Sequence, residues 1–383
     1  MKEWSDIKQY NPFNSMKVLA QVYRWRQIKR SGVIPPPSTV TIDPINRCNL
    51  KCLWCNSSLV IKNRTKMIPP IYMSNIVDGL GEWTHNEWPV ESVCIAGGGE
   101  PLLYPDIDHL IDRLTYNGIE VGIVTNGTLI NRHIEALSKC TWVGVSVDTG
   151  YSGEFFLLKG VDLFHDVISG MKNLIEYSKT NDTYLGLNRP GNGVSYKYLL
   201  HPLNINTIEK SVKLAKEIGC KNFHLRPVGV PWNELLGNNW SFPFTGEHLK
   251  ILEETEKSVR KLESKDFGVY LVTHKFDALN RRHKFDKCYA IFMTCAITPP
   301  RSEKEKFCLG LCCDRRGDPK LEVFESLYYF NDFSQVKKFW GSPAHWIIFD
   351  QIKLEECPRC TYQPHNQVYE EVILNDSMTY KFI

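Results

Sequence analysis

The chain has 383 residues, 43% of them hydrophobic and 23% charged, with a formal net charge of +3. Near-neutral charge at this length argues against a dedicated nucleic-acid binder, and the lack of any apolar run of about 18 residues argues against a membrane span. The opening MKEWSDIKQYNPF lacks the apolar core of a signal peptide, so the expected location is cytoplasmic, a reducing compartment where the thirteen cysteines read as metal ligands rather than disulfides.

Residues 1–37 form a lead-in. Ser15 is placed to cap a helix from Met16 to about Arg30, ended by Gly32 and Pro35-Pro36-Pro37. Val18, Leu19, Val22 and Tyr23 give this helix an apolar face toward the main body. The basic runs Arg24–Arg30 and Arg281–Lys284 read as solvated faces or loops.

Residues 38–240 alternate between β-branched runs and helical stretches. TVTID, ESVCIAG, EVGIVTN, WVGVSVD, SYKYLL and NFHLRPV read as strands, with helices such as PDIDHLIDRLTYNG and TIEKSVKLAKEIG between them. The alternation implies an α/β fold with a parallel sheet and outer helices, in about six units, fewer than the eight of a closed barrel. Ligands bind such sheets at the carboxyl ends of the strands. Residues 241–383 break the pattern. The helix TGEHLKILEETEKSVRKLES leads into a tail with seven of the thirteen cysteines, expected to form a second, smaller domain.

The first strand is followed by RCNLKCLWC, which holds Cys48, Cys52 and Cys55. Thiolates bind soft metals and iron–sulfur clusters. A structural zinc site would want a fourth Cys or His nearby, and no histidine lies between residues 40 and 80. Three sulfurs on one short loop suit three corners of a cubane cluster, leaving the fourth iron open.

This spacing, with Trp54 before the third cysteine, resembles the signature of the radical S-adenosylmethionine (SAM) superfamily. The resemblance implies a partial (β/α)6 TIM-type barrel, a [4Fe–4S] cluster held by Cys48, Cys52 and Cys55, and SAM chelated to its open iron with Trp54 beside it. Gly97-Gly98-Gly99-Glu100 ends the second strand and resembles the family's GGE motif. By that likeness Gly98, Gly99 and Glu100 contact the methionyl amino group of SAM. Asn126, Ser146 and Asp148, at the third and fourth strand ends, become candidates for the rest of SAM, with Ser146 and Asp148 toward the ribose. A helix cap or turn is the plainer reading of all three. His224 and Arg226 share one face of their strand by the period of two. Cys94, Cys140 and Cys220 stand alone and read as packing residues.

The tail offers Cys288 in KCYAIFMTCAI, Cys308, Cys312 and Cys313 in FCLGLCCDRRGDP, and Cys357 and Cys360 in ECPRCTYQPHN. A zinc half-site is the rival reading of the CxxC. The arrangement resembles the C-terminal SPASM domain of radical SAM enzymes, and more closely its shortened twitch form, since no further cysteines follow. The resemblance implies one auxiliary [4Fe–4S] cluster on Cys288, Cys312, Cys357 and Cys360, with Cys295, Cys308 and Cys313 as alternatives. The implied chemistry is hydrogen abstraction from a small polar substrate, such as a sugar or aminocyclitol, with the auxiliary cluster taking the second electron. His224, Lys197 and Arg226 are the candidate catalytic groups. Expected partners are the substrate and an electron donor such as flavodoxin or ferredoxin. A peptide maturase and a non-catalytic metal-binding module are the alternatives.

Overall fold

The computed structural model describes residues 15–55, 57, 66–189, 191–229, 243–271, 283–300, 306–313, 325–357 and 360–375. Arg281 and Arg282 fall outside that set, as does the Ser15 side chain expected to cap the first helix.

One sheet organises the chain. Its strands are β1 (Thr39–Ile42), β4 (Ser92–Ile95), β5 (Glu120–Thr125), β6 (Trp142–Ser146), β7 (Gly193–Leu200), β8 (Asn222–Pro227), β9 (Gly268–Leu271), β10 (Thr294–Thr298), β11 (Phe307–Gly310) and β12 (Glu325–Phe330), with a short hairpin, β2 (Thr84–His85) and β3 (Trp88–Pro89), outside it. The order is β12-β11-β10-β1-β4-β5-β6-β7-β8-β9, and every pairing from β10 to β9 is parallel. The six strands expected from the sequence run in chain order through its middle, the arrangement of a partial TIM-type barrel. A seventh parallel strand, β9, follows β8.

The tail joins the same sheet. β10 lies parallel on β1 with Thr39 opposite Thr294 and Ile42 opposite Ile297, and β11 and β12 extend it antiparallel. TCAIT is buried along most of its length, so it shows no polar alternation to mark it as a strand.

Helices cover one face. In Ile107–Tyr116 the residues Ile107, Leu110, Ile111 and Leu114 are each at most 2% exposed. Their spacing makes one apolar stripe, and each buried side chain contributes roughly 2 kcal/mol. On β7, Val194, Tyr196, Tyr198 and Leu200 pack on that covered side, where Tyr196 and Tyr198 meet Phe223 of β8. The opposite face carries the alternate residues. A Cβ on Gly122 would stand 2.2 Å from the Trp142 ring, and one on Gly144 would stand 2.3 Å from Cε of Lys197. These two glycines make room for the large side chains on the inward face.

The lead-in differs from expectation. Ser15–Gln21 is a 3-10 helix, and the α-helix runs only from Val22 to Ser31, closed by Gly32 at φ 67°. Three residues per turn rather than 3.6 shift the phase of the apolar face. Val18 is buried, but Leu19 and Tyr23 are exposed, while Arg24, Trp25 and Ile28 face inward. Arg24 is fully buried, not solvated. It donates to Pro36 O (3.2 Å) and Pro89 O (2.8 Å), pairs with Glu91 at 3.2 Å, and lies 5.5 Å from the Trp88 ring centroid.

Candidate active site

The cysteine loop leaves β1 and is fastened from four directions. Arg47 O accepts from Glu100 N–H at 2.8 Å. A Cβ on Gly99 would stand 2.2 Å from Arg47 O, and one on Gly97 would stand 2.1 Å from Gly99 O. The triple glycine therefore lets the second strand end press its backbone against the cysteine loop. Asn126 at the end of β5 donates to Asn49 Oδ1 at 2.8 Å and approaches Cys48 Sγ at 3.9 Å, and Asn49 donates to Thr128 at 2.8 Å. Lys51 and Leu53 donate their N–H groups to Lys159 O (3.1 Å) and Leu158 O (2.9 Å), at the end of the helix Ser152–Lys159. Trp54 stacks on His201, just past β7, with ring centroids 5.0 Å apart and planes at 23°.

Among the described residues no three His, Cys, Asp or Glu side chains already stand tightly enough to hold a metal ion. The loop still fits a cluster by its donor set. Burial pushes the Cys48, Cys52 and Cys55 thiols up, and each is pushed further by the charge of another cysteine of the loop. Three sulfurs that feel one another suit a group that takes them all as thiolates. None of the thirteen cysteines is in a disulfide.

Two residues expected to touch SAM are engaged elsewhere. Glu100 is 2% exposed. Its carboxylate accepts from Thr125 Oγ1 (2.6 Å), Asn126 N–H (2.7 Å) and Leu102 N–H (3.1 Å). Burial raises it to about 7, against the lowering effect of those three donors. Glu100 thus ties the ends of β4 and β5 together rather than presenting an open carboxylate. Asp148 is fully buried with a left-handed backbone, φ 66°. It is ion-paired to Lys159 and accepts from Leu199 N–H at 2.7 Å, so neither oxygen is offered to a ribose. Ser146 is half-buried at the end of β6, opposite Lys197 in register.

Lys197 and His224 meet on the inward face, with Nζ 3.3 Å from Nδ1 and Nζ 5.2 Å from the Trp142 ring centroid. Arg226, two residues nearer the rim, is exposed.

In the tail, Cys288 is pushed up to about 12, mainly by burial and then by the charge of Cys357. Tyr362 is the hub. Its hydroxyl lies 2.8 Å from Cys313 Sγ, accepts from Thr294 Oγ1 at 3.0 Å, and feels the charge of Cys312. This draws Cys312 and Cys313 toward the turn that carries Cys360, at the amino end of β10. Cys295 and Cys308 are buried inside β10 and β11, and Cys295 packs in the apolar core. Cys140 and Cys220 are core residues, whereas Cys94 is half-buried in β4.

Three residues of the site escaped the sequence reading: Lys159, His201 and Trp142. Lys159 ends an apolar helix and His201 follows a strand, and neither sits in a motif. The spacing of Trp142, Gly144 and Ser146 in WVGVSVD marked one strand face without saying which.

Residues 42–191 match the family described as the Radical SAM superfamily. The chain is 27% identical over 188 residues to the probable GTP 3′,8-cyclase of Methanocaldococcus jannaschii, spanning 48% of this chain and 56% of that protein. It is 32% identical over 105 residues to an S-adenosylmethionine-dependent nucleotide dehydratase of a Thermoplasmatales archaeon, over 27% of this chain and 35% of that one. It thus spans about half or less of the length of these relatives. In shape it resembles Streptococcus suis SuiB bound to its precursor peptide SuiA, with TM-score 0.59 and 19% identity over 94% of this chain and 78% of that one. It also resembles anSMEcpe with bound AdoMet, with TM-score 0.57 and 18% identity over 86% and 88%. At these identities the likeness is one of fold, and it extends beyond the barrel into the tail. The cysteine loop after β1 and the glycine turn after β4 both lie within residues 42–191, and that part of the chain is a Radical SAM superfamily domain, whose family cofactors are a [4Fe–4S] cluster and S-adenosylmethionine.

Proposed function

We propose that this enzyme is a radical SAM oxidoreductase that removes two electrons from a small polar molecule, such as a sugar or aminocyclitol, and passes the second to an auxiliary cluster in the tail. The observation that carries the reading is the pairing of β1 with β10. The cysteine loop leaves the carboxyl end of β1, and at the amino end of β10 Thr294 bonds Tyr362, which lies against Cys313 and two residues past Cys360. Four residues of strand, about 10 Å of rise, separate those two levels. The inward face lies between them.

A cluster and SAM bound at the loop would supply one-electron chemistry able to take a hydrogen atom from the substrate. The chain's own residues do the rest. Cys48, Cys52 and Cys55 hold the cluster, and the Gly97–Gly99 backbone and Trp54 border the SAM position. Lys197 and His224, in hydrogen-bond reach of each other, take up the hydroxyl proton as the carbon becomes a carbonyl. Arg226 at the rim suits an anionic group on SAM or substrate.

The test is iron and sulfide per chain after anaerobic reconstitution. About eight irons are expected for the wild type, falling to about four in the Cys48/Cys52/Cys55→Ala variant and to about four in Cys357→Ala. Cys357→Ala should still form 5′-deoxyadenosine with dithionite and SAM. Four irons in the wild type and none in the loop variant would remove the electron acceptor and with it the oxidation. The second reading is peptide modification, favoured by the shape likeness to SuiB over 94% of this chain. Saturable binding of a precursor peptide, with none of aminocyclitols, would select it.

A further inference from the structure

The helix Ser152–Lys159 ends against the cysteine loop. Its last carbonyls accept from Lys51 and Leu53, the residues on either side of Cys52. That contact brings the negative end of a helix dipole to sulfurs that are to become thiolates, which opposes their charge. The Lys159 side chain enters the same place with the opposite sign. It is 3% exposed and ion-paired to Asp148, which is fully buried. Asp148 is itself fixed, by Leu199 N–H on Oδ1 at 2.7 Å and by Asn204 Nδ2 on its carbonyl at 2.9 Å.

Burying an ion pair in a protein interior is costly and weak evidence for stabilisation. A chain that keeps one here, touching the loop by backbone and by charge, calls for a use. Lys159 is the member of the pair that touches the loop, its carbonyl accepting from Lys51 N–H beside Cys52 at 3.1 Å, while its ammonium is buried with Asp148.

We propose that Lys159 is a positioning residue that supplies a fixed counter-charge to the cysteine loop, and that it sets how readily the cluster bound there accepts an electron. The inference rests on the loop holding a [4Fe–4S] cluster. Positive charge in a poorly screened interior stabilises the more reduced, more negative state. Asp148 keeps the lysine aimed and spares the fold an unpaired buried cation.

The test is a redox titration of the reconstituted full chain, followed by electron paramagnetic resonance, after iron and sulfide have been counted. The Asp148→Asn/Lys159→Met variant removes both charges without stranding either. It should keep the wild-type iron count yet show about tenfold less reduced cluster at a fixed potential, a shift of about 59 mV for a one-electron couple. Lys159→Arg, which keeps the charge, should stay near the wild-type midpoint. An unchanged midpoint in the double variant, or an equal shift in Lys159→Arg, would overturn the proposal. So would failure of the double variant to fold, which would place the pair in the scaffold. A wild type that binds no iron at the loop would remove the cluster reading itself, and the iron count separates that outcome from the others.

Discussion

Glu100 gives the sharpest test of how the site is built. It is a buried carboxyl raised to about 7 from an ordinary 4.5, by burial, with three donors on its two oxygens. A group whose folded value is raised binds its proton more tightly in the folded chain. Its contribution to stability is present at low pH and is lost as pH rises toward 7. A difference of about 2.5 units corresponds to about 3 kcal/mol, of which roughly 2.5 kcal/mol falls between pH 5 and pH 8. Glu100→Gln cannot ionise and carries no such dependence. The substitution also leaves one backbone N–H facing an amide N–H₂, at a cost of about 1–3 kcal/mol that is the same at every pH. Urea unfolding of both chains at pH 5, 6, 7 and 8 isolates the effect, because the other titrating groups are common to both. The wild type should lose about 2.5 kcal/mol relative to the variant between pH 5 and pH 8. Parallel curves would refute the placement of Glu100 as a buried tie between β4 and β5.

Other changes probe the same architecture. Gly99→Ala puts a methyl 2.2 Å from Arg47 O, a backbone atom that cannot swing away; iron bound at the loop should fall well below that of the wild type, and full loading would show that the two turns need not touch. Arg24→Met leaves the Pro36 and Pro89 carbonyls without their guanidinium donor, while Glu91 is half exposed and keeps Gln21; a loss of about 1–3 kcal/mol is expected from urea midpoints, and a neutral result would return the lead-in helix to a solvated role. Cys295→Ala, inside β10, should keep the wild-type iron count, whereas Cys288→Ala should lose the tail's share; equal losses would move the metal site into the strand.

The chemistry of this chain was legible because it is local. Three thiols within eight positions and a glycine turn after the next strand mark the radical SAM domain through spacing, without a fold. The order of the six central strands followed too, since β-branched runs alternate with stripes such as Ile107, Leu110, Ile111 and Leu114 that can bury only one side.

What stayed hidden was everything that depends on contact between distant segments. TCAIT shows no alternation because both its faces are covered, so only the tertiary structure revealed that the tail pairs with β1. Arg24 read as solvated because its partners, Pro36, Pro89 and Glu91, are brought to it by the fold. Glu100 and Asp148 read as open carboxylates because their donors lie up to 51 residues away in the chain. Lys159 carries no motif at all; the closing of a helix end onto the cysteine loop is what gives its charge a place. Sequence fixes which groups exist and their short-range spacing, and burial decides which of them remain available to a ligand.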